Sequence, residues 1–365
     1  EPKAPESDAA SPKIVSDICE RPRNAATPEH QPRVITAAEA IAEATAQAME
    51  QDPRVFVMGE GATDPKGIFG TTAGLTERFG KQRVLEMPIA ENGFTGMAIG
   101  AALMGQRPIV IHQRVEFCLL AVEQLFNNAA KMHYVSGGKH KVPMVVRLVV
   151  GRGWGQGPAH SQSLEGMFAQ IPGLKLAMPS NAADAKGMLL AAVEDDNPVV
   201  LLEHRWMHYV SNHVDPAPTP APLDGPRCVR RGRHVTVVAT SYMNLEAMQA
   251  AEALQAQGCE VEVFDLRMLR PLQLDSIVES VKRTGHLVTV DTGLHEFGIG
   301  AEICSQVTSQ AFSQLRQAPV RIGLPSHPTP SSRSLAASYY PRSPQIAAQI
   351  GALVGLSQER IDEAQ

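Results

Sequence analysis

Apolar residues along this chain fall into two patterns. Short, nearly continuous apolar runs bounded by glycine or proline read as buried strands, and apolar positions spaced three and four apart read as helix faces. Val55 to Met58, Pro108 to Ile111, Val142 to Val149, Leu174 to Met178 and Val199 to Leu202 are of the first kind. Thr36 and Glu39 have capping-box spacing ahead of an Ala-rich helix towards Met49. Further helices are predicted at Leu75 to Phe79, from Glu91 through Gly96, Gly100, Ala101 and Ala102, from Phe117 to Tyr134 and from Ala182 to Val193. Continuously apolar strands separated by helices predict a parallel sheet covered on both faces.

Between Asn212 and Pro226, prolines 216, 218, 220, 222 and 226 interrupt the pattern, so this tract reads as a stiff boundary. The alternation then resumes: strand His234 to Thr240, helix Asn244 to Gln257, strand Glu260 to Asp265, helix Leu274 to Lys282, strand Leu287 to Asp291 and a helix near Ala301 to Ala311. The fold class is therefore α/β, as two parallel-sheet, three-layer domains. The expected division is a flexible tail over 1–33, a first domain over 34–210, a Pro-rich linker over 211–228 and a second domain over 229–365. The tail is assigned from its Pro, Ala, Ser and Glu content without periodic apolar positions.

Composition narrows the function classes. A chain of 365 residues with 44% hydrophobic and 19% charged residues has enough apolar content for two ordinary cores. A net charge of -5 leaves no electrostatic footprint for nucleic acid; Arg227, Arg230, Arg231 and Arg233 form the one basic knot and read as a solvated or interdomain face. No apolar stretch is long enough for a bilayer, and membrane association is not expected. Cysteines 19, 118, 228, 259 and 304 are odd in number and lack a C-x-x-C pair, which fits a reducing compartment. The expected location is cytoplasmic, or the mitochondrial matrix if the source is eukaryotic and a transit peptide has been removed.

The chemistry centres on Met87-Pro88-Ile89-Ala90-Glu91-Asn92-Gly93-Phe94-Thr95-Gly96, which sets a carboxylate at the mouth of a glycine-rich helix. Taken alone, Glu91 is a first-turn acid favoured by the helix dipole. Downstream lie a loop with glycines at 151, 153, 155 and 157, then His160-Ser161-Gln162-Ser163, Pro172-Gly173-Leu174-Lys175, Asp184-Ala185-Lys186-Gly187 and Asp196-Asn197-Pro198. In this order the segments resemble the beta subunit of the thiamine diphosphate-dependent, decarboxylating component of 2-oxo acid dehydrogenase complexes, over Val34 to about Leu356.

That resemblance implies a transketolase-like pyrimidine-binding domain followed by a transketolase C-terminal domain. It also implies thiamine diphosphate at a subunit interface, with an alpha subunit holding Mg²⁺ and the diphosphate, in a two-alpha, two-beta tetramer that meets a lipoyl acyltransferase core. Carried over, Glu91 contacts the pyrimidine nitrogen para to the exocyclic amine, Glu60 lies near the same ring and Phe117 packs against it. His160 serves acyl transfer to the incoming dithiolane. Backbone oxygens near Met144, Ala192 and Val193, with Asp195 and Asn197, match a structural potassium site of relatives; a helix-ending turn explains the same letters without an ion.

The sequence departs from the family at His112-Gln113-Arg114 and at His204-Arg205-Trp206. His112 and Arg114 are expected to pair with Glu116 or with a partner-chain carboxylate, or else to bind a hydroxylated or phosphorylated substrate. The second option keeps a split transketolase open as an alternative activity. A non-catalytic assembly subunit is a third reading, which the joint presence of Glu91 and His160 argues against.

Overall fold

The computed structural model describes residues 33–153 and 156–356. Cys19, all but Arg33 of the expected flexible tail, and Trp154-Gly155 of the glycine loop lie outside the described residues.

The first unit opens with β1 (Arg33–Thr36) and α1 (Ala37–Gln51). Their junction is the predicted capping box, in which Glu39 N–H donates to Thr36 Oγ1 at 3.2 Å and Thr36 N–H to Glu39 Oε2 at 2.7 Å. Next come β2 (Val55–Gly59), α2 (Leu75–Phe79), β3 (Val84–Glu86), α3 (Glu91–Leu103) and β4 (Arg107–His112). The helix predicted from Phe117 to Tyr134 is instead segmented into α4 (Val115–Cys118), a 3-10 turn, a π-helical stretch over Gln124–Ala129 and α5 (Ala130–Val135). It starts at Val115 because Arg114 is extended, with φ -143° and ψ 147°. Then follow β5 (Val145–Val150), α6 (Glu165–Ala169), β6 (Lys175–Ala177), α7 (Ala182–Glu194), β7 (Val199–His204) and β8 (Ser211–Val214).

The second unit contains β9 (Arg227–Arg230), β10 (Val235–Ala239), α8 (Tyr242–Gln255), β11 (Val261–Asp265), β12 (Met268–Arg270), α9 (Asp275–Thr284), β13 (Leu287–Leu294), α10 (Ile299–Ala311), β14 (Val320–Leu324), α11 (Arg333–Ala337) and α12 (Ser343–Leu353). Its sheet runs β14-β13-β10-β11-β9, parallel except for β9. The first sheet runs β12-β6-β7-β5-β4-β2-β3. Its six strands from the first unit are parallel, and β12, from the second unit, pairs antiparallel with β6. Both sheets are thus parallel through the centre, as expected, and each carries one antiparallel strand at an edge.

Buried strands such as β5 (Val-Val-Arg-Leu-Val-Val) and β7 (Val-Val-Leu-Leu-Glu-His) are enclosed on both faces, which is why their apolar runs do not alternate. One face of the first sheet packs on α1 and α7. The other packs under α3 and the 115–135 segment, and the same apolar cluster continues into Phe264, Leu274, Ile277 and Ile303 of the second unit. The tract expected to lack strands starts with β8, antiparallel to β1, and β9 begins at Arg227. Between them the prolines are pinned to the first unit: Gln47 Nε2 donates to Pro216 O at 2.7 Å and Ala221 N–H to Gly187 O at 2.8 Å. Of the basic knot, Arg227 bonds Asp184 across the units, and Arg231 and Arg233 face Glu262 and Glu260. Cysteines 118, 259 and 304 form no disulfide among the described residues. Among the described residues, no helix is long and apolar enough to cross a membrane.

Candidate active site

Parallel sheets leave a crevice beyond the carboxyl ends of their strands, where loops from neighbouring strands converge. In the neighbouring run β5-β4-β2-β3, the segments leaving β2, β3, β4 and β5 carry Glu60, Glu91, Phe117 and His160 respectively. Four residues scattered over a hundred positions of sequence thus belong to one end of one sheet.

Glu91 is the first residue of α3 and 5% exposed. A carboxylate there faces the positive end of the helix, which offsets part of the cost of burying it. Glu60 follows directly on β2, and its Oε1 is buried without a partner. Burial raises the Glu60 pKa, and the charges of Glu91 and Glu86 add to the rise, so Glu60 and Glu91 lie close enough to feel each other. The loop holding Glu60 is fixed by Glu86, which accepts from Gly61 N–H at 2.6 Å and Thr63 N–H at 3.0 Å, and by Gln113 Nε2 donating to Glu60 O at 2.7 Å. These two supports carried no motif and were missed in the sequence.

Phe117 is half-buried and meets the exposed His160 edge to face, with centroids 5.3 Å apart. Its neighbour Cys118 is buried, and burial, reinforced by the Glu91 charge, raises its thiol pKa. Glu91 is therefore linked electrostatically to Glu60 on one side and to the 117–118 turn on the other. The arrangement suits a flat heterocycle with N–H donors: an apolar ring face, an unpartnered acceptor oxygen and a second buried acid.

His112 and Arg114 do not form the ion pair with Glu116 that was expected. His112 is buried, stacks on Phe94 at 5.0 Å and places Nε2 3.3 Å from Thr95 Oγ1; burial pushes its pKa to about 3, so it is neutral. Arg114 instead donates Nη1 to Gly151 O at 2.8 Å and Nη2 to Gln156 Oε1. The His204-Arg205-Trp206 segment joins the units: His204 stacks on Tyr242, Trp206 packs edge-on against Tyr242 and 4.8 Å from the Tyr340 ring, and Arg342 lies 5.0 Å over the Trp206 ring.

The residues matched to potassium gather at the opposite, amino end of the sheet. Met144 O accepts from Val199 N–H at 3.0 Å, and Arg107 Nη1 donates to Val193 O at 2.7 Å and Asp195 O at 3.0 Å. The Asp195 carboxylate accepts from Lys175 Nζ and from Asn197 N–H and Nδ2. Ala192 stands in the last turn of α7 beside them. These oxygens already have protein donors, and an ion would take their remaining lone pairs.

Residues 33–208 match the profile described as transketolase, pyrimidine binding domain, and residues 226–346 that described as transketolase, C-terminal domain. The chain is 41% identical over 288 residues to the pyruvate dehydrogenase E1 component subunit beta of Rickettsia felis, covering 79% of this chain and 88% of that one. It is 39% identical over 319 residues to the acetoin:2,6-dichlorophenolindophenol oxidoreductase subunit beta of Cupriavidus necator, covering 85% and 94%. To the mitochondrial pyruvate dehydrogenase E1 component subunit beta of Rattus norvegicus it is 37% identical over 320 residues, covering 86% and 88%. Among solved structures it shares the fold of a split gene transketolase, described as an inactive beta4 tetramer, with a TM-score of 0.71 at 22% identity, covering 88% of this chain and 99% of that one.

Proposed function

Because the chain belongs to the family of beta subunits of thiamine diphosphate-dependent 2-oxo acid dehydrogenase components, we propose that it decarboxylates a pyruvate-like 2-oxo acid and transfers the acyl group to a lipoyl domain. On this reading the active site is shared with an alpha subunit, in a two-alpha, two-beta tetramer, and the alpha subunit holds Mg²⁺ and the diphosphate. The observation that carries the reading is Glu91, buried at the start of α3 and coupled to Glu60 beside the Phe117 and His160 rings.

When bound, thiamine diphosphate supplies the carbon nucleophile and electron sink for loss of CO₂ from a 2-oxo acid. Glu91 holds a proton at the aminopyrimidine nitrogen para to the exocyclic amine. Glu60 supplies a further acceptor near that ring, and Phe117 gives it an apolar contact face. His160 passes a proton to the dithiolane sulfur released as the acyl group arrives, a role suited to an exposed imidazole. An interface with the alpha subunit is supported by exposed Ile89, Met97, Met104 and Leu120, which flank or lie on α3 and the 119–121 turn next to Glu91. A structural K⁺ beside Asp195 and Asn197 belongs to the same reading.

The experiment is to purify the chain with its alpha subunit, add thiamine diphosphate and Mg²⁺, and follow reduction of ferricyanide with pyruvate and longer 2-oxo acids, then acylation of a free lipoyl domain. Consumption of a pentose phosphate instead would favour the split-transketolase reading. Binding of thiamine diphosphate without turnover of either substrate class would favour an assembly role. The burial of His112 and Arg114, each 2% exposed, weighs against their serving a sugar phosphate.

A further inference from the structure

Arg114 and Glu116 stand two residues apart at the exit of β4, carry opposite charge, and each turns to the same distant segment. Arg114 is 2% exposed; its Nη1 donates to Gly151 O at 2.8 Å, its Nη2 to Gln156 Oε1, and its Nε is buried without a partner. Glu116 accepts Gln162 N–H on Oε1 at 2.6 Å, while its Oε2 is buried and unpartnered. Gly151 N–H donates to Gln162 O at 2.9 Å and closes the neck of this loop. His160 lies inside it, and its ring touches Phe117, the residue after Glu116. Residues 114, 116 and 117 therefore hold, in turn, the entry, the exit and the imidazole of one loop.

The arrangement is costly by itself. A buried guanidinium and a half-buried carboxyl that bond other partners rather than each other, leaving Arg114 Nε and Glu116 Oε2 buried without partners, are a poor way to stabilise a fold. The segment they grip contains glycines 151, 153 and 157, whose backbone freedom leaves a histidine poorly placed unless it is tied down. Space is also tight, since a Cβ on Gly153 would run into both Arg114 Nη2 and Gln156 Oε1. Because the loop is fastened by a guanidinium at one end and a carboxylate at the other, its orientation relative to Phe117 is set from β4, the strand that also leads into Phe117.

We propose that Arg114 and Glu116 are positioning residues that clamp the 151–162 loop and so orient His160 for its proton transfer. This rests on the acyl-transfer role proposed for His160. The test uses the complex with the alpha subunit, loaded with thiamine diphosphate, and the variants Arg114→Gln, Arg114→Lys and Glu116→Gln, each alone and combined with His160→Ala. Acylation of a lipoyl domain is expected to fall by about 10²-fold in Arg114→Gln, with a much smaller loss in 2-oxo acid-dependent ferricyanide reduction. Arg114→Lys should recover only part, because an ammonium cannot span two acceptors as the planar fork does. On the His160→Ala background neither change should cost more, the signature of acting through that imidazole.

Amide hydrogen exchange gives a readout independent of turnover: Gln162 N–H should lose protection in Glu116→Gln, and Gly151 N–H, which donates to Gln162 O, in Arg114→Gln. Equal losses in both assays, additive behaviour with His160→Ala, or unchanged exchange would each overturn the proposal. A parent complex that neither reduces ferricyanide nor acylates a lipoyl domain sinks the proposed function instead, while the exchange arm still decides whether the clamp exists.

Discussion

The Phe117 ring and the His160 imidazole cross at 88°, edge to face, although they leave the sheet on different strands. Edge-to-face aromatic pairs contribute about 0.5–1.5 kcal/mol beyond their buried area. Phe117→Leu should therefore keep the fold while weakening thiamine diphosphate binding to the assembled complex, read as a rise in the cofactor concentration needed for half-maximal activity. Unchanged cofactor affinity would remove Phe117 from the ring contact.

Glu91→Gln is isosteric but cannot exchange a proton with a ring nitrogen. Activity with any 2-oxo acid should fall by about 10²–10⁴-fold, the range for a general acid–base group. Assembly with the alpha subunit should be unaltered by analytical ultracentrifugation. A variant retaining a tenth or more of parental turnover would show that the acid at 91 is structural.

The buried triad of Arg147, Glu203 and His208 predicts an acid-side weakness. Glu203 bonds Arg147 Nη2 at 3.0 Å and His208 Nε2 at 2.9 Å. Burial pushes the Glu203 pKa up, but Arg147 and His208 outweigh it and hold the carboxyl at about 2. With the folded value below the usual 4.5, this stabilisation is present above about pH 4.5 and fades as the pH falls towards 2. Glu203→Gln leaves Arg147 uncompensated and should cost about 3–5 kcal/mol in urea unfolding at pH 7. Its stability should also fall less steeply than the parent's between pH 4.5 and 2.

Glu165 behaves in the opposite sense. Buried and next to Asp291, it is pushed up to about 8, and its Oε1 accepts from Thr292 Oγ1 at 2.8 Å across the two units. A folded pKa above the unfolded one gives stability that is complete below about 4.5 and lost as the pH rises through 8. Glu165→Gln keeps an oxygen for Thr292 and removes the titration, so its melting temperature relative to the parent should climb between pH 5 and 8.5. Parallel profiles would show that this carboxyl is ionised in the folded chain.

Potassium is tested at the turn after α7. Replacing K⁺ by tetramethylammonium should lower the melting temperature if Val193, Asp195 and Asn197 hold the ion alongside Arg107. No shift would mean that Arg107 and Lys175 suffice to close that turn.

Much of this was legible in the sequence because the signals were local. The Thr36 and Glu39 capping box and the apolar runs of β2, β5 and β7 depend on neighbours in sequence or on burial of both faces, and they formed as read. β8 and β12 were missed because a short edge strand is made by its partner: Val214 pairs with Arg33, and Met268 with Ala177. The supports of the site failed for a similar reason. Nothing in the letters of Glu86, Gln113 or Gln156 signals contact with the 60–63 loop or with Arg114, since those bonds span 23 to 53 residues. Arg114 and Glu116 misled because opposite charges two apart suggest mutual pairing, whereas backbone groups of a glycine loop offered each a better-placed partner.

The three residues Met268 to Arg270 have a consequence for any attempt to divide this protein. They leave the second unit, cross over and finish the sheet of the first by lying along β6. Cutting the chain in its proline tract would strip that cover, leaving Leu176 and Ala177 as a bare, sticky margin open to strands of other molecules. A fragment ending near residue 226 is therefore expected to precipitate, and the two halves to melt in a single cooperative transition.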